Sequence, residues 1–288
     1  MTDRQIERIV QAIVEQRKNY DSDGKHATAI GISDTAYSFI KSGQWGKIAE
    51  KNWLRIAREI GVQLDGEAWK AAKTTTYLYI TTQLEACQRG HINKAFCDLP
   101  DIGKTFTATL YAQSHKNVAL IDCSVYRTRT RLIRRIARQL GIDADGSYYK
   151  VRDNMVEALK TLRDPLVILD EAGDISLDAL RELKGLMNET GDACAWYFMG
   201  ADGFRNLYER SIRCERLGFA EMFSRMGGEF CCLTTNKDIA GSADEFKRQQ
   251  VAAVASLNFT VDDRRRVEAK ANGSLRSLRN SYRKNSAV

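Results

Sequence analysis

Apolar positions in the first sixty residues recur at three- and four-residue intervals. Ile6, Ile9, Val10, Ile13 and Val14 share one face of a segment from residue 3 to 20, which predicts an amphipathic helix with a charged outer face. Asp21-Ser22-Asp23-Gly24 breaks it. A short segment, Lys25 to Ile30, then Gly31-Ile32-Ser33, then a helix from Asp34 to Lys41 that stops at Ser42-Gly43, follow in the order of a helix-turn-helix capped by Ser33 or Asp34. After Gln44-Trp45-Gly46, Lys47 to Ile60 is helical again, with Ile48, Trp53, Ile56, Ala57 and Ile60 available for a core, and Gly61-Val62 ends it.

Four short helices in this space resemble the lambda-repressor type of DNA-binding domain. That resemblance implies that the helix entered through Ser33 faces the major groove, with Ser33, Asp34, Thr35, Ser38 and Lys41 as candidate contacts. A small bundle used for protein contacts is the competing reading, because this helix is not very basic.

Beyond residue 65 a polar helix, Thr75 to Arg89, is closed by Gly90, and the pattern then changes to strands alternating with helices. Ala95 to Cys97, Asn117 to Asp122, Leu166 to Leu169, Ala195 to Met199 and Phe230 to Leu233 are the expected strands, a spacing that predicts a largely parallel sheet covered on both faces. From Ser242 to Lys284 the chain reads as helical again.

A net charge of +7 favours a polyanionic partner, since clustered Lys and Arg release counterions from a phosphate backbone. The seven cysteines show no Cys-x-x-Cys spacing and there are only three histidines, so buried thiols in a reducing compartment are expected and no zinc site is. The N-terminal stretch lacks the apolar core of a signal peptide, and no run reaches the length of a membrane span. Cytoplasmic localisation is the resulting expectation.

The chemistry concentrates in two places. Asp98-Leu-Pro100-Asp101-Ile102-Gly103-Lys104-Thr105 lies between a strand and the helix that continues through Phe106, where a phosphate-binding loop belongs. In such a loop backbone N–H groups surround the phosphates, Lys104 reaches the β and γ phosphates of ATP, and the Thr105 hydroxyl ligates Mg²⁺. The tripeptide alone is a weak signal. Its partner is Pro165-Leu-Val-Ile-Leu-Asp170-Glu171, an apolar strand ending in two carboxylates, in which Asp170 serves the metal and Glu171 polarises the attacking water. The loop departs from its pattern at two usual glycine positions, Asp98 and Asp101, where an aspartate adds bulk and negative charge.

With these residues in order, residues 75 to 288 resemble the AAA+ transposition ATPases of the phage Mu B type, with TnsC and IstB as relatives. The implied fold is α/β: a P-loop AAA+ core with a parallel sheet at 65–240, an N-terminal all-α helix-turn-helix domain at 1–64 and a small C-terminal helical lid at 241–288. By the same resemblance Asp202 is the nearest candidate for a γ-phosphate sensor, Arg225 for the arginine that completes a neighbouring subunit's site, and Arg276 for a lid arginine that reaches back to the nucleotide. Arg210, Arg213 and Arg216 compete with Arg225.

Residues 127 to 138, RTRTRLIRRIAR, hold six arginines and no acid. Leu132, Ile133 and Ile136 can pack inward, leaving a basic stripe. The resemblance places Tyr126, Arg127, Thr128, Arg129 and Arg131 on double-stranded DNA in an ATP-dependent ring or helical filament of the protein with itself, working with a transposase. A helicase loader or replication initiator, and a nucleotide-regulated transcription factor, remain the alternatives.

Overall fold

The computed structural model describes residues 1–64, 69–234 and 242–285. The expected domain boundaries, 64/65 and 240/241, fall at or within stretches outside these residues.

The first four helices are α1 (Asp3–Arg17), α2 (Asp23–Ile30), α3 (Asp34–Lys41) and α4 (Glu50–Ile60). α1 starts at a capping box between Thr2 and Gln5. It stops three residues earlier than its apolar spacing suggests. α2 begins within the expected break, because the Ser22 side chain caps it, and it ends where Gly31 turns left-handed at φ 74°. α3 is capped by the Ser33 side chain, which accepts from Ala36 N–H. Residues 45–47 form a 3-10 turn, so α4 starts later than expected. Ile9, Ile13, Ile30, Tyr37, Ile40, Trp53, Ile56 and Ile60 form a separate core for these helices. Val14, expected on the buried face, is exposed.

After α5 (Thr75–Gly90) come β1 (Lys94–Cys97), α6 (Lys104–Ser114), β2 (Val118–Asp122), α7 (Arg129–Gln139), α8 (Tyr148–Thr161), β3 (Leu166–Asp170), α9 (Leu177–Thr190), β4 (Ala195–Gly200), α10 (Asp202–Arg213), α11 (Phe219–Arg225) and β5 (Phe230–Cys231). The five strands form one parallel sheet in the order β2-β3-β4-β1-β5. β3 and β4 are buried at every residue, as a sheet with both faces covered requires. One face packs Ile80, Leu84, Ala108 and Tyr111 of α5 and α6; the other packs side chains of α7 to α11. β5 is shorter than expected because Leu233 and Thr234 give their N–H groups to the Asp98 carboxylate instead of a neighbouring strand.

The C-terminal helices are α12 (Ala243–Asn258), α13 (Val261–Ala271) and α14 (Leu275–Asn285). Val251, Val254, Ala255, Val267, Ala271 and Leu278 form their core, together with Ala72. The stretch before α5 is tied to them, since the Asn258 amide bonds both the N–H and the carbonyl of Lys70, at 2.8 and 2.9 Å. Among the described residues no helix is long and apolar enough to cross a membrane.

The N-terminal helices rest on the core between the ends of α6 and α7. Asn19 donates to the Gln113 carbonyl at 2.5 Å, Gln113 to the Ile60 carbonyl at 3.0 Å, and Tyr20 to the Gln139 carbonyl at 3.2 Å. Arg135 of α7 pairs with Glu59 of α4 at 2.5 Å. Gly141, at φ 71°, lies so close that a Cβ there would come 2.7 Å from the Lys25 carbonyl oxygen.

Candidate nucleotide site and basic surface

β1 delivers the chain into the loop from Asp98 to Gly103, and α6 begins at Lys104. Gly103 makes the turn at φ 97°, a region that favours glycine. Ile102 is buried in the core beneath and anchors the loop. The Lys104 ammonium is buried and donates to the Asp98 carbonyl at 2.8 Å and the Leu99 carbonyl at 2.6 Å. Loss of hydration lowers its pKa, while Asp98, Asp170 and Glu171 oppose that shift.

Across from the loop, β3 ends at Asp170, whose Oδ2 accepts the Thr105 hydroxyl at 2.6 Å. Its Oδ1 accepts the Glu171 N–H at 3.0 Å, with Glu171 in a left-handed turn at φ 50°. Burial raises the Asp170 pKa against the Thr105 hydrogen bond. Glu171 is solvent-accessible yet also shifted upward, first by partial loss of hydration and then by the Asp170 charge. Lys104, Thr105, Asp170 and Glu171 therefore share one site at the carboxyl ends of β1 and β3.

The two aspartates at glycine positions do different work from phosphate contact. Asp98 is fully buried, and its carboxylate accepts from Leu233 N–H at 2.6 Å, Thr234 N–H at 3.0 Å and the Thr234 hydroxyl. Asp101 turns away toward α14, accepting from the Ser274 hydroxyl and the Arg276 N–H. Pro100 is exposed and Phe106 half-buried.

The other sequence candidates are dispersed. Asp202 opens α10 and is exposed. One turn on, Arg205 donates to the Cys97 carbonyl at 3.3 Å and lies over Phe230, a residue that sequence reasoning passed over. Arg225 donates to Asn188 and to the Glu221 carbonyl. The Arg276 side chain is exposed, and only its backbone meets the loop. Arg279 lies 6.0 Å above the Phe106 ring instead. The signal for Arg279 was present, since it flanks the inward stripe of Leu275, Leu278 and Tyr282 on α14.

The arginine run is less uniform in space than in sequence. Arg129 sits 3.5 Å from Asp178 and over the Tyr148 ring, Arg134 is bound by the Ala144 and Gly146 carbonyls, and Arg135 by Glu59. The acids missing from the run are thus supplied by neighbouring elements. Arg127, Arg131 and Arg138 are exposed, as is Thr128; Arg127 Nε donates to the Asp174 carbonyl at 3.2 Å, and Arg131 and Arg135 both lie over the half-buried Tyr126 ring. On α3, Ser33, Asp34, Thr35, Ser38 and Lys41 are exposed, with Lys41 paired to Asp23 at 2.6 Å.

A parallel sheet in which β1 lies between β4 and β5, a phosphate-type loop entering α6, and a hydroxyl-to-carboxylate contact onto β3 have the arrangement of a P-loop nucleotide-binding domain. In agreement, the family model of an AAA domain matches residues 97–208, from the end of β1 into α10. The match takes in the loop and both β3 carboxylates and leaves the N- and C-terminal helices outside. A search of curated proteins found no match.

Proposed function

We propose that this chain is an AAA-type ATPase that assembles on double-stranded DNA in an ATP-dependent way and acts with a transposase. The observation that carries the ATPase reading is the Thr105-to-Asp170 contact beside buried Lys104. Thr105 Oγ1 and Asp170 Oδ2 are hard oxygen donors 2.6 Å apart, a set that suits Mg²⁺, so these two residues would hold the ion. When bound, Mg²⁺ supplies charge neutralisation on the phosphates. Lys104 would exchange its two carbonyl partners for phosphate oxygens, to which a charge-assisted bond is stronger. Glu171, accessible and with a raised pKa, would accept a proton from water and orient it.

The DNA part rests on Arg127 and Arg131, exposed beside Tyr126 and Thr128, which suit backbone phosphates without sequence preference. Arg225 of one copy would complete the site of the next in a ring or filament, with Asp202 and an arginine of α14 sensing the nucleotide. Residues 1–64 form the candidate helix-turn-helix, and α3 is its surface for DNA or for a protein.

The test is ATP turnover with and without random duplex DNA, alongside electron microscopy of the same mixture. DNA-stimulated turnover and coating of any duplex support the proposal. Binding confined to one palindrome without turnover favours a transcription factor. Co-purification with a replicative helicase in place of a transposase favours a loader.

A further inference from the structure

The backbone at Asp101 is left-handed, φ 64°, a conformation glycine adopts without steric cost and aspartate only tolerates. The side chain's use lies at the other end of the sequence. Its Oδ2 accepts the Ser274 hydroxyl at 2.5 Å, and its Oδ1 accepts the Arg276 N–H at 3.0 Å. Ser274 in turn caps α14 by accepting the Ser277 N–H at 3.1 Å. The Arg276 amide is among the first N–H groups of α14, which have no partner inside the helix. A residue of the phosphate loop therefore completes the cap of a helix 173 residues away, and its negative charge faces the positive end of that helix. Two further contacts lie alongside: Leu275 Cδ1 lies 3.6 Å from the position of a Cβ on Gly103, and Arg279 stands over Phe106.

We propose that Asp101 is a positioning residue through which the phosphate loop and α14 control one another. The inference rests on the nucleotide-site reading above. Nucleotide that orders the loop holds the Asp101 carboxylate in place for α14, and by reciprocity a docked α14 favours the loop form that receives phosphate. The C-terminal helices thereby register nucleotide through a main-chain cap as well as through any arginine.

Hydrogen exchange of residues 275–285 in the full chain, with and without a non-hydrolysable ATP analogue and Mg²⁺, tests this. In the wild type, nucleotide slows exchange there by about fivefold or more. Ser274→Thr keeps both the hydroxyl donor and the cap, and preserves the response. Ser274→Asp still caps α14 but sets a carboxylate against Asp101; it binds the analogue and loses the response. Asp101→Gly keeps the backbone conformation and also loses it. A wild-type response in either Ser274→Asp or Asp101→Gly, or a wild-type protein that binds the analogue without slowing α14, overturns the proposal. A wild-type protein that binds no analogue overturns the nucleotide-site reading itself.

Discussion

Thr105 donates its hydroxyl hydrogen to Asp170 across 65 residues of sequence, joining the first turn of α6 to the end of β3. The loop that carries Thr105 and the strand that carries Asp170 are thus fixed relative to one another, and Lys104 and Glu171 flank the contact. If the proposed site is right, replacing Lys104 with Ala removes the cation that would meet the phosphates, and binding of a fluorescent ATP analogue should be lost. Glu171→Gln keeps binding, because the amide fills the same space, but lowers turnover about 100-fold or more. Normal hydrolysis by Glu171→Gln would show that Glu171 is not the water-polarising group.

The pH profile of turnover follows from the same site. Glu171 must be ionised to accept a proton, and partial loss of hydration, with the Asp170 charge beside it, raises its pKa above the usual carboxylate range. The acidic limb of kcat/KM, which reports the free enzyme, therefore lies at higher pH than for an ordinary carboxylate. Because Asp170 adds to the upward shift, Asp170→Asn moves the ionisation of Glu171 downward, which 13C NMR of labelled glutamate would follow.

Asp98→Gly restores the usual residue of such loops, yet it strips three bonds from Leu233 and Thr234. Two backbone N–H groups lose their acceptor, one of them on a fully buried residue. A loss of about 2–4 kcal/mol of stability is expected in chemical denaturation. Unchanged or increased stability would show that the loop pattern, and not the carboxylate, governs this position.

His26 is fully buried, with Nδ1 2.8 Å from the Tyr37 hydroxyl and its ring stacked on Tyr20. Burial lowers its pKa from 6.5 to about 4. The unfolded chain thus takes up the proton first as pH falls. The stabilisation is complete above pH 6.5 and is lost progressively down to about 4, amounting to on the order of 3 kcal/mol. His26→Gln should flatten that part of the stability profile; an unchanged profile would assign acid sensitivity elsewhere.

Arg127 and Arg131 are exposed, the first with its Nε on the Asp174 carbonyl and the second over the Tyr126 ring, while Arg135 is engaged with Glu59. Replacing Arg127 and Arg131 with Ala should weaken binding to every duplex about equally and lower the salt slope by up to roughly 0.9 per lost phosphate contact. Arg135→Ala should instead loosen the N-terminal helices, seen as faster proteolysis near residue 60. Equal DNA affinity in the double variant, with binding lost on deletion of residues 1–64, would move DNA recognition to α3.

The order of elements was legible because its signals are local. Ser33 and Ser42-Gly43 bracket α3, and unbroken apolar runs mark β3 and β4. The loop and the two carboxylates could be read for the same reason. What escaped depends on distant partners. The ends of β5 and the orientation of Asp98 are decided by one another, and Asp101 is decided by Ser274 and Arg276, far along the chain. The arginine run looked unbalanced since Asp178 and Glu59 reach it only through folding. Arg276 and Arg279 both lie near the start of the same helix, and which of them faces Phe106 depends on the packing of Leu278, a contact made only in the fold.

The gap at Gly141 is narrower than a methyl group. With the Lys25 carbonyl 2.7 Å from the place a Cβ would occupy, and a left-handed backbone besides, the first side-chain carbon of any other residue is a wedge between the N-terminal helices and the core. At this point of the seam the close approach of the two layers depends on a missing side chain. An alanine at that position would act as a minimal pry bar, forcing the Lys25 end of α2 away from α7 against the ion pair and hydrogen bonds that hold the seam.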